Sequence, residues 1–159
     1  MSAKRPFKSI ALLFLAVLVF YAVAYFVIEH RRTRNGPWTI AFFGEAGGQA
    51  TLRIDQPVLG ITNVQIRFRG LLLETNLPET KVAFERPRRV PFALPFGECI
   101  FMDTTFQPGT VVIRAGGNEV QVLPRVLTID NVETPWKPGS RIVLEPGTNA
   151  PALQSSTTE

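Results

Sequence analysis

The sequence predicts an all-β fold, a two-layer antiparallel β-sandwich that is Ig-like in outline, preceded by one N-terminal transmembrane helix. Three observations carry that expectation. Residues 9–28 (SIALLFLAVLVFYAVAYFVI) are apolar and hold no charge. Between residues 36 and 145, apolar side chains recur at every second position, the period of a strand with one buried face. Gly and Pro pairs punctuate that region, and eleven of the thirteen prolines stand at or after residue 57.

The apolar run from Ile10 to Ile28 is 19 residues long. As a helix rising ~1.5 Å per residue it spans roughly 28 Å, close to the ~30 Å hydrocarbon core of a bilayer. Inside lipid a helix satisfies its own backbone hydrogen bonds. Tyr21 and Tyr25 lie toward one end, where amphipathic rings favour the interface. The competing reading is a signal peptide cut after Ala22-Val23-Ala24. Two features oppose it. Apolar residues continue through Phe26, Val27 and Ile28, and Arg31, Arg32 and Arg34 follow directly. An uncut anchor is therefore expected.

The formal charge of +4 is not spread over the chain. Residues 36–145 contain 11 Lys and Arg and 11 Asp and Glu, so that region is neutral. The excess comes from Lys4, Arg5, Lys8, Arg31, Arg32 and Arg34, which flank the apolar run. Such placement points to lipid headgroups and away from nucleic acid, for which no motif is present. Three bases on each side leave the positive-inside rule tied. A short basic leader before a first apolar segment favours the N-terminus inside and the domain outside, in the periplasm of an envelope.

Strands follow in order. Trp38–Phe43 buries Trp38, Ile40 and Phe42, and Gln49–Asp55 buries Leu52 and Ile54. Val64–Arg69 buries Val64, Ile66 and Phe68, and Lys81–Glu85 buries Val82 and Phe84. Arg125–Asp130 and Arg141–Glu145 place Leu127 with Ile129 and Ile142 with Leu144. A two-residue loop at Gly116-Gly117 sets Arg114 opposite Glu119, Ile113 opposite Val120 and Val111 opposite Val122. Seven to nine short strands and no amphipathic helix suggest the sandwich, with an open barrel as the alternative. The chain thus divides into a basic tail (1–8), the helix (9–28), a basic linker (29–35), the β-domain (36–145) and a tail of disordered composition (146–159).

Chemistry-bearing residues are few. The only histidine, His30, lies at the membrane border, so the domain lacks the base that a Ser-His-Asp or Cys-His site requires. One cysteine, Cys99, permits no internal disulfide and no Cys/His zinc site. Phe101-Met102-Asp103-Thr104 resembles the start of the aspartic-protease motif, hydrophobic-hydrophobic-Asp-Thr/Ser-Gly. Thr105 stands where that family needs a residue without a Cβ, and a second Asp would have to share the proton. Cys99 and Met102 form C-x-x-M, two soft ligands suited to Cu(I). An anchor followed by a β-sandwich is similar in outline to the copper-delivery factors of cytochrome oxidase assembly, which rely on paired cysteines.

The segment ERPRRVPFALPFGE, residues 85–98, is the candidate partner surface. Pro87, Pro91 and Pro95 favour extended backbone, Phe92 and Phe96 are spaced to project from it, and Arg86, Arg88 and Arg89 lie alongside. The alternative is a crossover between sheets, with the phenylalanines closing the core and the arginines solvated. The expected function is a membrane-anchored, non-catalytic binding or scaffolding subunit. It would have the bilayer and a protein as partners and no cofactor. An envelope copper-delivery or assembly factor and an aspartic-type hydrolase using Asp103 are the rivals.

Overall fold

Alternation along the chain becomes rungs across two sheets in the computed structural model, which describes residues 4–73 and 77–147, with side chains from Lys8 onward. The first sheet holds β1 (Thr39–Gly44), β2 (Gln49–Gln56), β3 (Ile61–Leu72), β4 (Thr80–Ala83) and β11 (Arg141–Leu144), in the order β11-β3-β2-β1-β4. The second holds β5 (Phe92–Ala93), β6 (Glu98–Asp103), β7 (Thr110–Ala115), β8 (Asn118–Val122), β9 (Val126–Ile129) and β10 (Val132–Pro135), in the order β10-β9-β8-β7-β6-β5. Neighbours run antiparallel, apart from β11, which lies parallel to β3. The count exceeds the seven to nine strands expected, because β5, β6 and β10 carry weak alternation. Among the described residues of this domain the only helical element is a 3-10 turn at Pro57–Leu59.

Register explains the core. In the first sheet, Ile142, Ile66, Leu52 and Phe42 line up across four strands, and Val64, Ile54, Ile40 and Val82 form the next inner rung. In the second, Ile129, Val120, Ile113, Cys99 and Phe92 line up, beside Leu127, Val122, Val111 and Met102. These inner faces pack into one apolar cluster. Aromatic rings tie the layers at two places. Phe96 meets Phe42 and Phe68 edge-on at 5.3 and 6.0 Å between centroids. Trp38 stacks at a tilt on Trp136 at 5.6 Å and donates from Nε1 to the Gly109 carbonyl at 3.0 Å.

The β7–β8 hairpin has the predicted register at all three pairs. Gly116 and Gly117 have φ of +57° and +78°, as a two-residue turn matched to strand twist requires. Arg114 facing Glu119 across the hairpin suggests an ion pair, and the structure pairs Arg114 elsewhere. Arg114 turns to Glu98 on β6, 3.2 Å away, while Glu119 accepts from Gln121. A central strand offers a partner on either side, and the hairpin register fixes only one of them.

The helical unit is longer than expected. α1 spans Lys4–Thr33, so the basic tail from residue 4 and the linker up to Thr33 are helical. Glu29 pairs with Arg32 at 3.2 Å, and Thr33 donates its hydroxyl to the Glu29 carbonyl, carrying the helix to Thr33, three residues short of Gly36-Pro37. His30, Arg31 and Arg32 in the last turn oppose the negative end of the helix dipole. Side chains from Ile10 to Ile28 are apolar and exposed on all sides. A helix apolar all round is at home only in a protein core or in lipid, and Lys8–Thr33 is long and apolar enough to cross a membrane. Of the expected disordered tail, 146–159, residues 148–159 lie outside the described residues. Gly147 of that tail is held, because it donates to the Gly116 carbonyl at 3.1 Å, and just ahead of the tail Asn118 donates to the Glu145 carbonyl at 3.0 Å.

Candidate partner-binding surface

Residues 84–91 join β4, an edge of the first sheet, to β5, an edge of the second, and residues 94–97 turn β5 into β6. The segment is the crossover between layers. Its side chains alternate. Val90, Phe92, Leu94 and Phe96 turn toward the core, while Pro91, Ala93 and Pro95 face outward. Prolines suit that outer edge because they have no N–H to leave unpaired. Phe96 is therefore a core residue, 6% exposed, and is removed from the candidate surface. Its ring fills the gap between the first sheet and the β5–β6 turn, where the Leu94 N–H bonds the Gly97 carbonyl at 3.1 Å. Phe92 is corrected in part. It sits opposite Cys99 on the inner face, half-buried, at 6.4 Å from Phe84. The signal that locates both rings is the period of 2 in VPFALPF itself, which the prolines disguise.

What remains outside is cationic. Arg86, Arg88 and Arg89 are exposed, and none has an ion-pair partner among the described residues. The Arg88 guanidinium lies 5.5 Å from the centre of the Phe92 ring, within cation–π range. That contact orders one arginine over a ring that the core already fixes. The base of the loop is pinned by Gln107, which donates to the Glu85 carbonyl at 3.0 Å, and by Phe84, whose N–H bonds the Trp38 carbonyl. Gln107 was not singled out in the sequence, and no local pattern marks a contact between positions so far apart.

The other candidate residues are structural in their contacts. Cys99 is fully buried and its Sγ donates to the Phe101 carbonyl at 3.4 Å. Burial pushes its thiol up to about 11, which suppresses the thiolate that metal binding and nucleophilic attack both use. A bulge between Cys99 and Phe101 brings Met102 onto the same inner face, against Val111. C-x-x-M is thus part of the apolar core. Asp103 is exposed at the end of β6 and accepts from the Thr105 N–H at 2.9 Å. Hydrogen bonds from Thr105 hold its carboxyl below the ordinary value, as in an Asx turn. Of the residues flanking the apolar run, Lys8, Arg31 and Arg34 are exposed and Arg32 is in its pair with Glu29. Lys4 and Arg5 lie in the first turns of α1, and their side chains fall outside the described residues.

The chain matches no protein-family model, no curated protein and no solved structure. The functional reading rests on geometry.

Proposed function

We propose that this chain is a single-pass membrane protein whose β-sandwich is a binding or scaffolding module, with Arg86, Arg88 and Arg89 as the contact to an acidic protein partner. The observation that carries the reading is that set of exposed arginines without carboxylates, on a loop held by four inward side chains. A preformed cationic surface loses little conformational freedom on binding, which favours affinity. Complementary charge speeds encounter and selects against basic partners. An apolar helix of membrane-spanning length supports anchoring, and anchoring raises the effective concentration of the domain toward neighbours in the same membrane. The basic leader supports an outside, extracytoplasmic domain.

The test is chemical cross-linking in intact membranes, comparing the wild type with the triple variant Arg86→Glu, Arg88→Glu, Arg89→Glu. All three side chains are exposed, so the variant folds and gives up only the Arg88–Phe92 cation–π contact, about 0.5–1 kcal/mol at an exposed site. The expected result is loss of the cross-linked species, and a wild-type cross-link that weakens as salt rises from 50 to 500 mM. An unchanged cross-link in the folded variant refutes the surface.

A further inference from the structure

The outer face of the first sheet holds a second polar feature, independent of the arginine loop. Val143 of β11 stands beside Arg67 of β3, Arg67 opposite Thr51 of β2, and Thr51 opposite Phe43 of β1. Arg141 and Gln65 occupy the adjoining rung. Among these side chains is a cavity of about 60 Å³, whose polar lining is Glu45, Thr51, Gln65, Arg67 and Arg141. Thr51 faces outward but is 0% exposed, because its neighbours close over it. Its hydroxyl has no hydrogen-bond partner among the described residues. A buried hydroxyl left unpaired is costly, and native structures pair such groups with protein, water or ligand.

Charge gives the second clue. The other bases on the strands of this face have carboxylates. Arg67 pairs with Glu45, Arg53 with Asp55 and Glu79, Lys81 with Glu79, and Arg69 with Glu145. Among the described residues Arg141 has none. Two arginines therefore line the cavity against one acidic residue, Glu45, which Arg67 already engages. Its size limits the occupant. One water needs roughly 10–15 Å³ on this measure, so the space admits a group of a few heavy atoms and excludes a sugar or a nucleobase. A lone water would satisfy Thr51 and leave the positive excess. An oxyanion answers both.

We propose that this cavity binds a small oxyanion, a carboxylate or a phosphate, between the guanidinium groups of Arg141 and Arg67 with the Thr51 hydroxyl donating from the floor. Arginine suits the role because its planar fork matches two oxygens of one anion. The gain on binding is electrostatic and falls with ionic strength.

The test uses the full chain in nanodiscs of neutral lipid, titrated with inorganic phosphate and with acetate at constant ionic strength, followed by amide and Arg Nε–H NMR shifts. Saturable shifts at residues 51, 65, 67 and 141 are expected. Arg141→Gln weakens the binding at least tenfold. Thr51→Val, which keeps the shape and removes the hydroxyl, also weakens it without lowering the melting temperature. Arg125→Gln, an exposed base on the turn between β8 and β9, leaves it unchanged. Exchanging the neutral lipid for an anionic phospholipid separates the sources. Displacement of free phosphate identifies a lipid headgroup as occupant, retention identifies a free anion, and either result carries the proposal. Absence of saturation with both anions overturns it, as does equal weakening by Arg125→Gln or full binding by Thr51→Val.

Discussion

Replacing Phe96 by alanine separates core from surface in the 85–98 segment. The ring is 6% exposed and touches Phe42 and Phe68 edge-on across the layers. Truncating a buried phenylalanine costs about 3–5 kcal/mol, the transfer term plus the cavity left behind. The two edge-on pairs place this site at the upper end, since each such pair adds about 0.5–1.5 kcal/mol beyond area. For a domain of this size 1 kcal/mol moves the melting temperature by roughly 4 °C. Phe96→Ala should therefore melt roughly 16–20 °C below the wild type, by near-UV circular dichroism of the detergent-solubilised chain. Phe92→Ala, half-buried at the rim, should lose about half as much or less. A Phe96→Ala protein within about 4 °C of wild type would refute the placement of this ring in the core.

Three further outcomes follow from the same geometry. Gly109→Ala is severe, because its Cβ would lie 1.8 Å from the Asp103 carbonyl oxygen at a φ of +71°; left-handed strain and overpacking together cost about 3–5 kcal/mol in chemical denaturation. Gly60→Ala, at the same φ of +71° but facing open space, should lose only about 1–2 kcal/mol. Cys99, with its thiol pushed from the ordinary 9.0 to about 11, should resist iodoacetamide at pH 8 until the protein is unfolded. The sign of its linkage is alkaline: the folded state holds the proton longer than the unfolded chain. The thiol's contribution is fully present below pH 9 and is lost as pH rises through about 11. That loss is about 2–3 kcal/mol, read as the difference in pH slope between wild type and Cys99→Ala.

Much of the fold was legible because alternation reports burial directly. Trp38, Ile40, Phe42, Leu52, Ile54, Val64, Ile66 and Phe68 stand at period-2 positions and are each at most 1% exposed. The β7–β8 register followed from turn chemistry and a branched-residue pattern that agreed. β5 was missed because two residues flanked by Pro91 and Pro95 do not read as a strand. β6 was missed because its bulge shifts the phase between Cys99 and Phe101, so Met102 falls on the inner face. The parallel β11–β3 pairing has no local signature; it depends on where the chain returns after β10. At the candidate surface the arginines are visible in the sequence, but Phe96 stays open between a surface and a core reading because prolines mask alternation. Thr51 was invisible as a site, since an outward threonine in a strand is ordinary until a neighbouring strand covers it.

Anchoring by an uncut helix is the premise on which tethering depends. The direct measurement is peptide mapping of the protein in carbonate-washed membranes of its host. The account predicts a carbonate-resistant protein that still carries residues 10–24 ahead of Tyr25. A protein that begins at Tyr25 and appears in the soluble fraction would contradict it.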